Sequence, residues 1–370
     1  MRTLFSGVGL AMETAVHAVE DIASITNTRR PLDVFALRWQ VTSLCNYSCA
    51  FCIQGTHEAH LAAARDESRE LRQTICDGIV NMIETKLAGF SAIDLYLIGG
   101  EVSILDDFPA ILRKLAGCSF SGLIRMHVTT NLSMPASTYA ELFRAATDSP
   151  NGFPRSFSLS ASFYRAYTTE DELCAKTKEI ALAAGRGWSP AGIALRGVAS
   201  RLAPGRQNAG FTINIGYPIL DDQSYGRFSK LRRRMAMRLV SVKPIKIYDY
   251  PITLSDRIRN TAFGGGRKGL GVRFSDGSRA SYVDIQQLGY ALCPEHGRIC
   301  PQGMVCDSGM RSVTIDTKGM MWRCPIIGAP DSFRMGPVTD PGTELLEAPA
   351  ACSAKHCACN YFHTIERRGA

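Results

Sequence analysis

Thiols dominate the chemistry open to this chain. Cys45, Cys49 and Cys52 fall in one short run, Cys45-Asn-Tyr-Ser-Cys49-Ala-Phe-Cys52. Seven more, Cys293, Cys300, Cys306, Cys324, Cys352, Cys357 and Cys359, crowd the C-terminal end, and only Cys76, Cys118 and Cys174 of the 13 stand alone. The lone three read as small buried hydrophobes. A disulfide framework belongs mainly to short secreted chains, and the stretch Leu4–Met12, broken by glycines and by Glu13, reads as an amphipathic helix rather than a signal peptide. An odd number of thiols in a reducing, cytoplasmic setting points to metal. Three thiolates so close converge only if the backbone loops around something, and thiolates suit zinc or iron–sulfur centres. With three protein ligands a 4Fe–4S cluster keeps one iron open, as catalytic metal sites keep an open position. A zinc knuckle wants a fourth ligand, which His57 or His60 would supply.

The elements that must position these residues alternate in type. Strands are expected at Val34–Gln40, Ile93–Ile98, Ile124–Thr129, Ser156–Ser160, Thr212–Gly216 and Ile245–Tyr248. Helices are expected over 58–88, 106–117, 136–147, 168–185 and 222–240, and a further one occupies the N-terminal 1–33. Strands alternating with helices of this length mean βαβ units and a parallel sheet. Six units fit an incomplete barrel or an open doubly wound sheet. The pattern changes after Tyr250: 251–292 reads as a connector with a hairpin, Val272–Phe274 and Ala280–Val283 around Asp276-Gly277. A second hairpin, Ser312–Asp316 with Met320–Arg323, turns at Lys318-Gly319 inside the cysteine-rich unit 293–370 and brings Cys306 and Cys324 together. The tail beyond Pro325 reads as loop without a core, so the cysteines must staple it.

The 370 residues carry 42 Lys+Arg against 34 Asp+Glu, a net +8. That excess is too diffuse to indicate nucleic acid, and Arg232-Arg233-Arg234 reads as a solvated helix face. Gly264–Gly269 reads as a connector or an anion-holding loop. The longest charge-free run, Trp39–Thr56, is too polar for a transmembrane helix. Neither a membrane nor a nucleic acid is expected as a partner.

Cys-x3-Cys-x2-Cys after the first strand of the alternating core, with Phe51 before the last cysteine, resembles the signature of the radical S-adenosylmethionine superfamily. The resemblance implies that Cys45, Cys49 and Cys52 bind a 4Fe–4S cluster whose open iron chelates S-adenosylmethionine. It also implies that reductive cleavage yields a 5′-deoxyadenosyl radical, which takes hydrogen from a substrate. It implies a partial (β/α)6 barrel over 34–250, an α/β fold, followed by a small hairpin and loop domain. Gly99-Gly100-Glu101 ends the second of the alternating strands where the family places Gly-Gly-Glu against the cofactor's amino group, with bare glycine backbone approaching the ligand. Val102 stands where the family often has Pro. Thr129-Thr130-Asn131 closes the third strand in the manner of the family's Thr-Asn-Gly, with Leu132 for Gly. Ser158, Ser160 and Ser162 on the fourth strand and Asn214 on the fifth resemble ribose and carboxylate contacts. The cofactor contacts so implied are Phe51, Gly99, Gly100, Glu101, Asn131, Ser160 and Asn214. Tyr248, Asp249 and Tyr250 would face the barrel mouth, and no catalytic acid or base stands out.

Cys306, the hairpin and Cys324 resemble the opening of a SPASM or twitch extension, which holds auxiliary 4Fe–4S clusters. The ligand set implied is Cys306, Cys324, Cys357 and Cys359, with Cys293, Cys300 and Cys352 as further candidates and a second cluster or a zinc site left open. An auxiliary cluster would accept an electron from a substrate radical or position the substrate. The implied function is oxidation or cross-linking of a ribosomally made peptide; the alternative is the same oxidoreductase chemistry on an aminocyclitol, sugar or nucleoside in natural-product biosynthesis. A third reading is a non-catalytic zinc or RNA-binding protein. Expected partners are a peptide or small-molecule substrate and an electron donor such as flavodoxin or ferredoxin. About 33 residues precede the first strand of the core, too few for the leader-binding domain of some peptide-modifying relatives, which need roughly a domain's length of their own.

Overall fold

The computed structural model describes residues 18–28, 31–49, 52, 57–184, 211–218, 230–231, 235, 240–245, 269–282, 288–289, 292, 299–301, 303–324, 331–354, 357 and 362–367. In chain order the first elements are β1 (Ile22–Asn27), β2 (Val34–Thr42), α1 (His57–Ala64), α2 (Arg69–Lys86), β3 (Ala92–Gly99), α3 (Phe108–Ala116), β4 (Leu123–Thr130), α4 (Ala136–Thr147), β5 (Arg155–Ser162), α5 (Glu170–Ala183), β6 (Phe211–Pro218) and β7 (Val240–Ile245). The later strands are β8 (Leu270–Phe274), β9 (Arg279–Tyr282), β10 (Met304–Cys306), β11 (Ser312–Ile315), β12 (Met320–Trp322), β13 (Arg334–Pro337), β14 (Ala350–Ala351) and β15 (Thr364–Arg367).

Alternation builds the core strands. Phe35, Leu37, Trp39 and Val41 of β2 are buried, as are Ile93, Leu95 and Leu97 of β3, while Arg38, Gln40, Asp94 and Tyr96 between them stay partly open and Ala36 is small enough to be covered. The helices answer with apolar positions three and four apart: Ile75, Ile79, Met82 and Ile83 on α2, then Phe108, Ile111, Leu112 and Leu115 on α3. One core cluster joins them. The single helix expected over 58–88 is two helices, because Ser68 caps α2 by accepting from Leu71 N at 3.0 Å. Strands β2 to β7 pair in parallel in sequence order. No reversal of strand order, the mark of a doubly wound sheet, falls between β2 and β7. The last core strand lies at Val240–Ile245, starting five residues before the expected Ile245–Tyr248 and meeting the expected helix 222–240 only at residue 240, and Pro244 fits there because β7 is an edge among the described strands. Residues 246–250, with Tyr248, Asp249 and Tyr250, lie outside the described residues, as do Gly264 and Arg232–Arg234.

Two expectations are corrected at the ends of the chain. The helix assigned to 1–33 does not continue through 22–27, which is β1. The tail is not coreless. β1 sits between β8 and β15 in a second sheet, ordered β14-β10-β15-β1-β8-β9. Ile22, Ile25, Val272, Phe274, Met304, Phe362 and Ile365 form its own apolar cluster. The partners of these strands are hundreds of residues apart, so no local window shows them. Both hairpins form: β8 pairs with β9, and β11 with β12 around Gly319 at φ +79°. β11 also adds to the main sheet, in parallel, beside β2. Among the described residues no helix is long and apolar enough to cross a membrane.

Candidate functional site

The cysteine loop leaves the carboxyl end of β2 and is pinned from four sides. Thr42 Oγ1 and Ser43 N donate to Glu67 at 2.5 and 2.7 Å. Gly100 N donates to Thr42 O at 2.9 Å and Glu101 N to Leu44 O at 2.8 Å, which tie the loop to the end of β3. Asn46 donates to Ser133 Oγ and accepts from Asn131 Nδ2, both at 2.9 Å, beyond the end of β4. Tyr47 stacks on Tyr167 at 4.0 Å between ring centroids, and Ser48 N donates to the Tyr167 hydroxyl at 2.8 Å, beyond β5. The loop therefore lies over the carboxyl ends of the parallel strands, where α/β sheets bind their ligands.

Within it the thiols sense one another. Burial pushes the Cys49 thiol up to about 11, and the charges of Cys45 and Cys52 add to this. Burial also raises Cys45, with Glu101 and Cys52 adding. Two thiols whose ionisation is opposed by burial and by neighbouring negative charge need a cation to become thiolates together, and thiolate is the form that binds metal. The donor set thus fits an iron–sulfur centre. Among the described residues no group of three His, Cys, Asp or Glu is placed to hold a single metal ion. The side chains of His57 and His60, and Phe51 entirely, lie outside the description.

Gly99 and Gly100 pack closely against the cysteine loop. A Cβ on Gly99 would stand 2.4 Å from Thr42 O, and one on Gly100 2.2 Å from Leu44 O. The bare backbone approaches the cysteine loop itself. Glu101 is fully buried and accepts from Ser103 Oγ and Asn131 N at 2.5 Å, Thr130 Oγ1 at 2.8 Å and Ser103 N at 3.1 Å. Burial still pushes its carboxyl up. Leu132 adopts φ +58°, the left-handed backbone for which glycine is suited. Ser160 pairs in register with Thr129 on one side and Asn214 on the other, a polar row near the carboxyl end of the sheet.

The second thiol group also comes together. Cys306, Cys324, Cys352 and Cys357 line one cavity, walled by Pro301, Phe333, Ala354 and Ile365. Strand pairing places them: Cys306 lies opposite Ala350 and Ile365, Cys352 N donates to Met304 O at 2.9 Å, and Cys357 N to Ile299 O at 2.8 Å. Arg323 stacks on Phe333 at 4.1 Å and donates to Ala351 O, closing one wall. Four soft ligands around an apolar chamber suit an iron–sulfur cluster. Cys352, a further candidate in the sequence, is among them. Cys300 is exposed and does not line the cavity; Cys293 and Cys359 lie outside the described residues. Cys76, Cys118 and Cys174 are buried in the core.

Glu67, Asn46, Tyr47 and Tyr167 were not apparent as site residues. Only Asn46 and Tyr47, inside the cysteine run, had a local signal.

No family model and no curated protein matches the chain. Two crystal structures of SuiB from Streptococcus suis, one of them bound to S-adenosylmethionine, align over 84% of the chain with TM-scores of 0.35 and 0.34 at 8% identity. The chain spans 64% of the length of each.

Proposed function

We propose that the protein is a radical S-adenosylmethionine enzyme with a partial (β/α)6 barrel. In this reading Cys45, Cys49 and Cys52 hold a 4Fe–4S cluster and Cys306, Cys324, Cys352 and Cys357 hold an auxiliary one. The observation that carries the reading is the three-thiol loop, pinned over the carboxyl ends of six parallel strands in sequence order. Bound there, the first cluster supplies one-electron cleavage of S-adenosylmethionine and the hydrogen abstraction that follows. The chain's own part is to orient. Glu67, Gly100 and Glu101 fix the loop, Asn131 carries it to the end of β4, and the Ser160–Asn214 row offers hydrogen bonds to a ribose or a carboxylate. The proposed substrate is a ribosomally made peptide, with a flavodoxin- or ferredoxin-type electron donor.

Anaerobic reconstitution tests this. The protein should be brown, bleach in air, carry about eight irons per chain for two clusters, and form 5′-deoxyadenosine under dithionite. Replacing Cys45, Cys49 and Cys52 together by Ala should abolish that product. A colourless protein with stoichiometric zinc, or undiminished product from the triple variant, would overturn the reading.

A further inference from the structure

The face of the main sheet opposite the buried Phe35, Leu37, Leu95 and Leu97 is polar. Across it, Arg38, Tyr96, His127 and Ser158 stand in register on β2, β3, β4 and β5, with Asp94 and Arg125 paired two residues below. His127 Nδ1 lies 2.6 Å from Ser158 Oγ, and Nε2 lies 3.7 Å from Asp94 Oδ1. Arg125 Nε donates to the same carboxylate oxygen. The Tyr96 ring stacks on the imidazole at 4.7 Å between centroids. His127 and Asp94 side chains keep 27% and 13% of their surface, enough to be reached.

The tautomer follows from charge. Arg125 keeps Asp94 ionised, and a nitrogen lone pair facing a carboxylate is repelled where an N–H is attracted. The proton therefore sits on Nε2, and Nδ1 accepts from the Ser158 hydroxyl. At 3.7 Å the Nε2–H and the carboxylate are too far apart to bond each other. An oxygen about 2.8 Å from both spans the gap. That oxygen must accept from Nε2–H and donate to Asp94. A hydroxyl does both; an ammonium only donates, and a carboxylate only accepts.

We propose that His127 and Asp94 form a clamp for a substrate hydroxyl, with Ser158, Arg125 and Tyr96 as positioning residues. In that pose the hydroxyl oxygen accepts from His127 Nε2–H and its hydrogen is held by the Asp94 carboxylate. Thr129 and Ser160 stand two residues further along β4 and β5, about 7 Å up the sheet. That the cofactor occupies that upper row rests on the preceding section; the clamp's geometry does not.

The test uses the reconstituted full chain with oxidised clusters and 15N-labelled histidine, His127 being assigned by its loss in His127→Gln. Three probes each present one functional class: glycerol, methylammonium and acetate. His127 should show the Nε2–H tautomer, and glycerol alone should shift its ring signals saturably. Asp94→Asn should weaken the glycerol response about tenfold or more, the worth of a hydrogen bond to a charged group. Ser158→Ala keeps both clamp atoms and the Asp94 charge that sets the tautomer, so glycerol should still bind and the Nε2–H form should persist. An Nδ1–H tautomer, no response to glycerol, or an equal response to acetate or methylammonium overturns the clamp. Iron and 5′-deoxyadenosine measured on the same wild-type preparation separate the two readings. A glycerol response without iron would sink the proposed function and leave the clamp, and the converse would sink the clamp alone.

Discussion

Gly100→Ala should dislodge the cysteine loop. Its Cβ would lie 2.2 Å from Leu44 O, 2.5 Å from Leu44 C and 2.7 Å from Ser43 O, all main-chain atoms that cannot rotate aside. Gly100 has no left-handed φ, so the penalty is steric. Overpacking costs about 1–3 kcal/mol, and backing the loop away breaks Glu101 N–Leu44 O, worth about 1 kcal/mol. The gain from a stiffer unfolded chain, about 0.4–1 kcal/mol, offsets part of this. The net loss is about 1–3.5 kcal/mol, read by urea denaturation of the full chain before reconstitution. Iron retained by the first site should fall as well, because the three thiols hang from Leu44. Gly89→Ala is the control: nothing lies within 4 Å of its Cβ, so stability should move by no more than about 0.5 kcal/mol. If Gly100→Ala unfolds like Gly89→Ala and takes up iron normally, the loop is not docked as described.

Further outcomes are expected. For Asp94, burial alone would raise the carboxyl, but His127 and Arg125 outweigh it and hold it at about 2, against an ordinary value of 3.8. A depressed acid contributes stability above its unfolded pKa and loses it as pH falls through the folded one. The advantage of wild type over Asp94→Asn should thus be full above about pH 4, on the order of 2 kcal/mol, and vanish near pH 2 in acid-titrated denaturation curves. Arg72 is bidentate to buried Asp107 at 3.0 and 3.0 Å; Arg72→Ala should cost about 3–5 kcal/mol by urea melts, and Arg72→Met with Asp107→Leu much less. Glu67→Ala frees Thr42 and Ser43, and should cost about 2 kcal/mol and lower iron uptake at the first site, by the same melts and iron assays. Cys352→Ala should remove about four irons per chain by iron analysis, whereas Cys300→Ala should remove none.

What could be read along the chain was whatever a short window contains. The Cys45–Cys52 spacing, the alternation in β2 to β5, the α3 and α4 stripes and the Gly319 turn are all local, and the structure places them close to where they were expected. What depended on pairing between distant strands could not be read. β1 looked helical because its partners, β8 and β15, come some 250 and 340 residues later, and the tail looked coreless for the same reason. Cys352 reaches the cavity because β14 pairs with β10, a register no spacing rule contains. His127 was passed over although its neighbours Met126 and Val128 are buried, which puts it on the polar face; its partners Asp94 and Ser158 appear only when three strands are laid side by side. Gly99-Gly100 shows a subtler limit. The need for bare backbone was legible, but not which chain would approach it. Leu132 shows the reverse: a leucine in glycine's conformation, about 1–2 kcal/mol uphill, is tolerated because its N–H is held by Thr130 Oγ1 at 3.0 Å and its side chain is buried. The backbone shape at the end of β4 is therefore kept by contacts where a glycine would have kept it by freedom, and a search for the glycine alone would miss it.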